Sequence, residues 1–527
     1  MEFPQLKAWL RLPVLSIYDI KFYPYTAPGE DPVFAAVAAR EIYICKPVGK
    51  SANSKTNNLE VLRLLEDPDE DSSLNSVAWS VDADTGEPLV CVAGSGSKNI
   101  KIWNVVTGEL VRILYGHGGA VNDLVTSPVS PYILASCSAD YTIRIWNLDD
   151  QYRRQPCAAI LSGEGHRQTI LSIAFHDNGR WLLSGGQDTM ICLWSIPPVP
   201  DHNAGKDKPT VVVYPHFASI GMHSDYVDCV RFWGDLVLSK ASTGNNIKVT
   251  RGEIMLWKID GFHSGNTQPP EPPMPGYGRA TRSAFGGDFQ RLCTFDMTNV
   301  APFYMRFGLF KEPGYRPMLV MGNTKARFSF WDLQRFEERW TSNKLVPIVD
   351  DKKRIRDLID EVKSKKDIVS QVSANGTRAS SAPDSDAGNI VKNNKRKRGL
   401  TELVLLNNTT RARSIASDST RASSRASRPS GVSLVPRNSL LPARAPTSAP
   451  GATPAILDTA SENETDEPEK PPRDMRNYVR HTAHKTTVVA CPIDFACRAV
   501  DWSLDGKWCV GVGDHGMIAI FGRWLDK

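Results

Sequence analysis

Residues 116–147, GHGGAVNDLVTSPVSPYILASCSADYTIRIWN, and residues 165–194, GHRQTILSIAFHDNGRWLLSGGQDTMICLW, are two copies of one pattern. Each opens on a Gly-His pair, sets an Asp about 22 or 23 residues beyond the His, and sets a Trp six residues beyond that Asp. Two copies in register make a repeat, and the alternating apolar runs between the fixed points read as short strands joined by tight turns. The spacing has a physical cause. An Asp in the turn between the middle strands can accept a hydrogen bond from the imidazole of the Gly-His turn, and Ser136 or Ser184 with the Trp indole N–H can complete the network. A fully paired buried network fixes one arrangement, where a half-paired one costs stability. His117, Asp140, Trp146, His166, Asp188 and Trp194 are therefore expected to be structural. The rival reading, a catalytic His-Asp pair, lacks a nucleophile recurring in the same geometry.

A four-strand unit with this spacing is the WD-repeat blade of a β-propeller. Working outward, a first blade is expected over Ile17–Phe22, Pro32–Val37 and Ile42–Cys45, and a second over Leu74–Trp79, Leu89–Gly94 and Ile100–Trp103, with Ser97 where the turn Asp would stand. A fifth runs from His223 through Val227–Phe232 and Leu236–Ser239 to Ile254–Trp257. The sixth covers Phe303–Phe307, Met318–Gly322 and Phe328–Asp332, and the seventh Cys497–Trp502, Lys507–Val512 and Ile518–Phe521. The fold expected is all-β, a seven-bladed WD-repeat β-propeller with a long disordered insert between blades six and seven. Blades one to six occupy 1–345, the insert 346–480, and the closing blade 481–527.

The insert has its own composition. Residues 352–372 carry charge with a helical apolar spacing at Ile355, Leu358, Ile359 and Val362, which predicts a short surface helix. From Ser373 to about Arg473 the chain is rich in Ser, Arg, Pro, Thr and Asn with almost no aromatic residues, and cannot bury enough apolar surface to offset its ordering entropy. Lys395, Arg396, Lys397 and Arg398 form a basic cluster fitting a nuclear-import signal or contact with nucleic-acid phosphates, set against a plain solvated charge run.

Length and composition set the outer bounds. A chain of 527 residues suits one large repeat domain plus an insert, and a net charge of +5 does not mark the folded part as a nucleic-acid binder. The ten cysteines are irregularly spaced and several fall inside apolar strand runs, as expected of buried thiols in a reducing compartment. No run reaches the ~18 apolar residues of a membrane span, so a soluble intracellular protein without membrane contact is expected. Gly511–Gly516 matches a dinucleotide fingerprint, but a further strand follows where the helix is required. His481, His484, Cys491 and Cys497 fit no standard zinc spacing. No metal, no cofactor and no catalysis are expected.

More particular stretches are Gly165-His166-Arg167, Asp225-Tyr226-Val227-Asp228-Cys229-Val230-Arg231-Phe232 and Tyr304-Met305-Arg306-Phe307. In these the chain resembles the EED / extra sex combs family, WD-repeat subunits of Polycomb repressive complex two, over all seven blades. The resemblance implies a non-catalytic scaffold in the nucleus, holding an enhancer-of-zeste-type SET methyltransferase on one side beside a suppressor-of-zeste-type zinc-finger subunit. It also implies a cage for a trimethylated lysine of a histone tail at the other channel mouth, built from Tyr18, Phe303 and Tyr304, with Asn75 where the family has an aromatic residue. Ring faces attract a quaternary ammonium, which has lost its donor protons. The competing expectation is ordinary packing, for at least one of the strand neighbours Phe303 and Tyr304. Asn122, Asp228, Arg306 and Arg498 match the peptide-contacting rim, or else Arg306 and Arg498 pair with carboxylates around the channel. Two other readings stay open: a propeller scaffold of another nuclear complex, such as a ubiquitin-ligase adaptor or chromatin-assembly subunit, or nucleic-acid binding through the basic insert.

Overall fold

The computed structural model describes residues 2–49, 58–242, 251–266, 268–274, 280–336 and 479–524, and in them the strands form seven sheets that are the blades of a propeller. Blade four shows why these residues become strands. Ile170–Phe175 and Trp181–Gly186 are buried along their whole length, because both faces of a blade are covered by neighbouring blades. Near-continuous apolar runs satisfy that geometry. Leu183 and Leu193 of blade four thus share a cluster with Val230, Val237 and Trp257 of blade five. Each large side chain so buried stabilises the ring by about 1.5–3 kcal/mol.

The ring is closed by the chain's two ends. Gln5–Arg11 is the outer strand of blade seven, antiparallel to Met517–Gly522, with Trp9 opposite Ala519. This strand was not expected, since the run is only half-buried and its partner lies some 500 residues away in the chain. Outermost strands were missed elsewhere: Phe217–Ser219 completes blade four, and Thr210–Val212, Thr281–Ser283 and Val479–His481 add fifth strands to blades three, four and five. The boundary drawn at residue 480 shifts, because Lys485–Val488 pairs with Arg327–Phe330 as the outer strand of blade six. Residues 337–478, with the helix expected at 352–372 and the basic cluster Lys395–Arg398, lie outside the described residues.

Blade six brings a second correction. Its inner strand is only Gly308–Phe310, and Phe303–Phe307 is not extended, because Tyr304 sits at φ +64°. A bulky residue in that region is strained and persists only where its surroundings hold it.

Adjacent inner strands are latched around the channel. The Asp19 carboxylate accepts from Val77 N at 3.2 Å, Ser76 Oγ from Leu124 N at 2.9 Å, Asp123 from Ile173 N at 3.0 Å and Ser172 Oγ from Val230 N at 3.3 Å. Asp228 accepts from Met305 N at 3.3 Å, Arg306 N donates to Arg498 O at 2.8 Å, and Asp501 accepts from Phe22 N at 2.7 Å to return to blade one. Inner-strand edges would otherwise leave backbone N–H groups orphaned in a narrow channel. All ten cysteines are free, and all but Cys491 are buried.

Candidate functional site

The twin histidine networks form as the repeat requires. His117 Nδ1 lies 2.9 Å from Asp140 Oδ2 and Nε2 2.7 Å from Ser136 Oγ, which accepts from the Trp146 indole at 2.8 Å. In the next blade His166 lies 3.0 Å from Asp188 and 2.8 Å from Ser184, which accepts from Trp194 at 3.0 Å. The ionised carboxylates can only accept, so Nδ1–H donates to them in both blades; burial favours neutral imidazole at His117, whose Nε2 then accepts from the Ser136 hydroxyl. Burial raises the carboxyls, but the hydrogen bonds from the histidines and backbone outweigh it and hold Asp140 and Asp188 below the usual range.

The network fades around the ring. In blade five His223 and Trp257 meet on Ser239 at 2.8 and 2.9 Å with no Asp, and burial, with Arg291 and Lys240 nearby, pushes the imidazole down to about 3. In blades two and six Val92 and Met321 stand at the serine's register, two residues beyond the positions opposite Trp103 and Trp331. Those indole N–H groups find no hydrogen-bond partner among the described residues.

The channel mouth is built differently. The inner strands of blades two, three, four, five and seven each shift register by one residue, around Asn75, Asn122, Leu171, Asp228 and Arg498. A bulge re-aims one side chain out of the pleat, and here all five sit at the starts of the inner strands, level with Tyr18 before Asp19–Phe22. The Tyr18 and Tyr304 ring centroids are 6.3 Å apart, edge to face, and Phe303 is 5.9 Å from Tyr304. Residues far apart in sequence are thus brought together. Phe303 is 46 % exposed, whereas Tyr304 is 8 % exposed, with its hydroxyl donating to Asn122 O at 2.5 Å across the channel. The left-handed backbone at Tyr304 takes it out of strand alternation, so both rings join one cluster, and of the two it is Tyr304 that packs. A further ring went unnoticed in the sequence: Tyr226, 40 % exposed, stands 6.4 Å from Phe303. It lies within the Tyr-Val-Asp-Cys stretch already singled out.

The four rim residues are engaged within the protein. Arg306 is 2 % exposed, donates to Asp123 at 2.8 Å and to Asn122 O at 2.9 Å, and lies over the Tyr304 ring at 5.0 Å. Burial opposes its charge, but Asp123 and Asp19 more than restore it. Asp228 holds Lys240 through both oxygens at 2.8 Å, and Asn122 donates to Ile170 O at 2.8 Å. Arg498 pairs with Asp514 at 2.7 and 2.8 Å, donates to Phe303 O at 3.2 Å and lies 5.9 Å over Tyr18. Arg306 and Asp228 therefore stand as channel wall rather than open rim. At the opposite end, a cavity of about 260 Å³ is lined by Phe22, Trp79, Phe310 and Trp502 together with Lys21 and Asp501.

Residues 60–104, 108–147 and 156–195 match the model of the WD domain, G-beta repeat. Each match begins on the outer strand of one blade and ends on the third strand of the next. The chain is 42% identical over 334 residues to Polycomb protein EED of Chaetomium thermophilum, covering 61% of this chain and 57% of the relative, so it spans little more than half of that protein's length. Polycomb protein esc of Drosophila melanogaster is 29% identical, covering 60% of this chain and 70% of the relative. Among solved structures, a chain of the Chaetomium thermophilum Polycomb Repressive Complex 2 bound to GSK126 matches at 31% identity and TM-score 0.68 over 100% of both chains. A chain of ctPRC2 in complex with H3K27me3 and H3K27M matches at 30% identity and TM-score 0.68, covering 99% of this chain and 98% of that one. With seven blades, the repeats and these likenesses in place, the chain belongs to the EED / extra sex combs family of WD-repeat Polycomb proteins.

Proposed function

We propose that this propeller is the scaffold and methyl-lysine reader of a Polycomb-type histone methyltransferase complex in the nucleus. The observation that carries the reading is the convergence of Tyr18, Phe303 and Tyr304 at one channel mouth, with Tyr226 beside them. Rings set edge to face around a common point offer their electron-rich faces to an alkylated ammonium. Tyr304 is the fixed wall, because its hydroxyl and the Arg306 stack anchor it, and Tyr18 and Phe303 are the walls that can yield to a ligand. The relative's complex with H3K27me3 supports a methylated histone tail as the ligand.

The opposite mouth suits the assembly role. Its cavity of about 260 Å³, walled by the buried side chains of Phe22, Trp79, Phe310 and Trp502, offers room for a small apolar anchor of a partner, here an enhancer-of-zeste-type SET methyltransferase held beside a suppressor-of-zeste-type subunit. A ligand at the reading mouth stimulates that enzyme only by favouring one of its states. Lys395–Arg398 and the arginines that follow would serve import or nucleic-acid contact.

Phe303→Ala tests the reader role, since the ring is exposed and its loss leaves the core intact. Affinity for a methylated histone H3 peptide should fall about 3- to 30-fold, the worth of one ring face, with melting unchanged. Affinity purification of the full chain should return a SET-domain methyltransferase. Unchanged peptide affinity would end the reader role, and a pull-down without such an enzyme would end the scaffold role.

A further inference from the structure

The five bulges place five side chains around one mouth, and four of them are satisfied or apolar. Asn122 donates to Ile170 O, Asp228 is neutralised by Lys240, Arg498 is held by Asp514, and Leu171 has no polar atom to satisfy. Asn75 differs. Its Oδ1 is buried and has no hydrogen-bond partner in the described structure. A buried carbonyl oxygen without a donor carries a desolvation cost that native interiors rarely tolerate.

The position of this oxygen is fixed by its neighbours. The next residue, Ser76, reaches Asp19 at 3.4 Å, and Val77 N donates to the same carboxylate, so Asn75 lies beside the start of the strand Asp19–Phe22, just after Tyr18. On its other side, blade three presents Asn122, whose carbonyl accepts the Tyr304 hydroxyl at 2.5 Å. Asn75 thus stands at the channel mouth between blade one, before whose inner strand Tyr18 lies, and blade three, whose Asn122 anchors Tyr304. The Tyr18 and Tyr304 rings stand edge to face at 6.3 Å, and a lysine side chain entering between them must part them. Side-chain shifts of that size are common on binding.

We propose that Asn75 sets the methylation state read at this mouth, selecting mono- and dimethyl-lysine over trimethyl-lysine. The proposal rests on the reader role argued above and goes beyond it. The chemistry is that of the N–H bond. Mono- and dimethyl-lysine keep the cationic charge that ring faces attract and retain at least one N–H donor; trimethyl-lysine keeps the charge and has none. Against three rings and one amide oxygen, a dimethylammonium places its two methyl groups on Tyr18, Tyr304 and Phe303 and directs its N–H at Asn75 Oδ1. That hydrogen bond is charge-assisted and forms in a site shielded from water, where such bonds are strongest. A trimethylammonium presses a methyl group against the oxygen and leaves it as unpaired as in the empty site. The cation also selects the amide orientation, since the NH₂ end would meet it with like polarity.

The test uses the full chain and four histone H3 tail peptides centred on the lysine that is modified in H3K27me3, identical except for zero, one, two or three methyl groups, titrated by calorimetry against the parent, Asn75→Ala and Asn75→Asp. The parent should bind the dimethyl peptide about fivefold more tightly than the trimethyl one. Asn75→Ala, which removes the acceptor, should shift that ratio at least threefold toward trimethyl-lysine, and Asn75→Asp, nearly isosteric, should shift it the other way. If Asn75→Ala unfolds, the aspartate variant decides alone, its shift toward dimethyl-lysine supporting the proposal. A ratio that stays within threefold in the alanine variant, or fails to rise in the aspartate variant where that one decides, overturns the assignment while methyl-dependent binding by the parent keeps the reader role. A parent that binds all four peptides equally overturns the reader role itself.

Discussion

The histidine networks of blades three and four and the axial contacts of Tyr304 and Arg306 at the channel mouth are both buried polar assemblies, yet they were built by opposite means. His117 meets an Asp 23 residues away and a Ser 19 residues away, all within one repeat. Tyr304 meets Asn122 across 182 residues and Arg306 meets Asp123 across 183, so the mouth exists only once blades three and six face each other. The first assembly holds a blade to itself; the second ties the ring across its axis. Local networks can therefore erode one blade at a time, as in blades five, two and six, while the axial contacts cannot be lost singly without leaving a charge stranded.

That contrast can be broken by experiment. The largest effect is expected at the axis: Arg306→Ala leaves the buried Asp123 carboxylate without its cation and Asp19 with Lys21 alone, and should cost about 3–5 kcal/mol in chemical denaturation. A loss under about 1 kcal/mol would mean the axial pair is dispensable.

Next comes the network that lost its Asp. His223 is neutral in the folded protein, with its pKa pushed from 6.5 down to about 3, so the unfolded chain binds more protons between those values. Stability should fall as pH drops below about 6.5, by about 2 kcal/mol at pH 5, and His223→Gln should flatten that slope. Asp140 and Asp188 have depressed values, so their contribution is present above their ordinary value of 3.8 and is lost only as pH falls below it. Two separate acid limbs are the expected signature.

Smaller still is the difference between equivalent tryptophans. Trp146→Phe removes the donor to Ser136, while Trp103→Phe removes an indole N–H that bonds nothing described. The first should be about 1 kcal/mol more destabilising than the second; equal costs would show that the network adds nothing beyond packing. Tyr304→Phe should cost about as little, near 1 kcal/mol, and change methyl-peptide affinity less than twofold, because the hydroxyl anchors the ring while the ring face meets the ligand.

The same contrast explains what could be read from the chain. The strand runs and the His117 and His166 networks were legible, since pattern and partner lie within one repeat. The outer strands Gln5–Arg11 and Phe217–Ser219 were not, because short half-polar runs acquire their pairing from distant chain. The cage residues were legible only through family resemblance; nothing in the local pattern of Phe303–Phe307 announces the positive φ of Tyr304. The blade-to-blade latches left a trace that was overlooked, an Asp or Ser recurring near the start of successive inner strands at Asp19, Ser76, Asp123 and Ser172. Its meaning appears only when the next blade's N–H is in view.

The most direct measurement is the affinity of the full chain for histone H3 tail peptides in which the lysine modified in H3K27me3 is either methylated or unmodified, repeated with Tyr18→Ala. The account predicts that the dimethyl peptide binds at least tenfold more tightly than the unmodified one, and that most of this difference disappears in the variant while its melting temperature holds. Equal affinity for the methylated and unmodified peptides in the parent protein would contradict it.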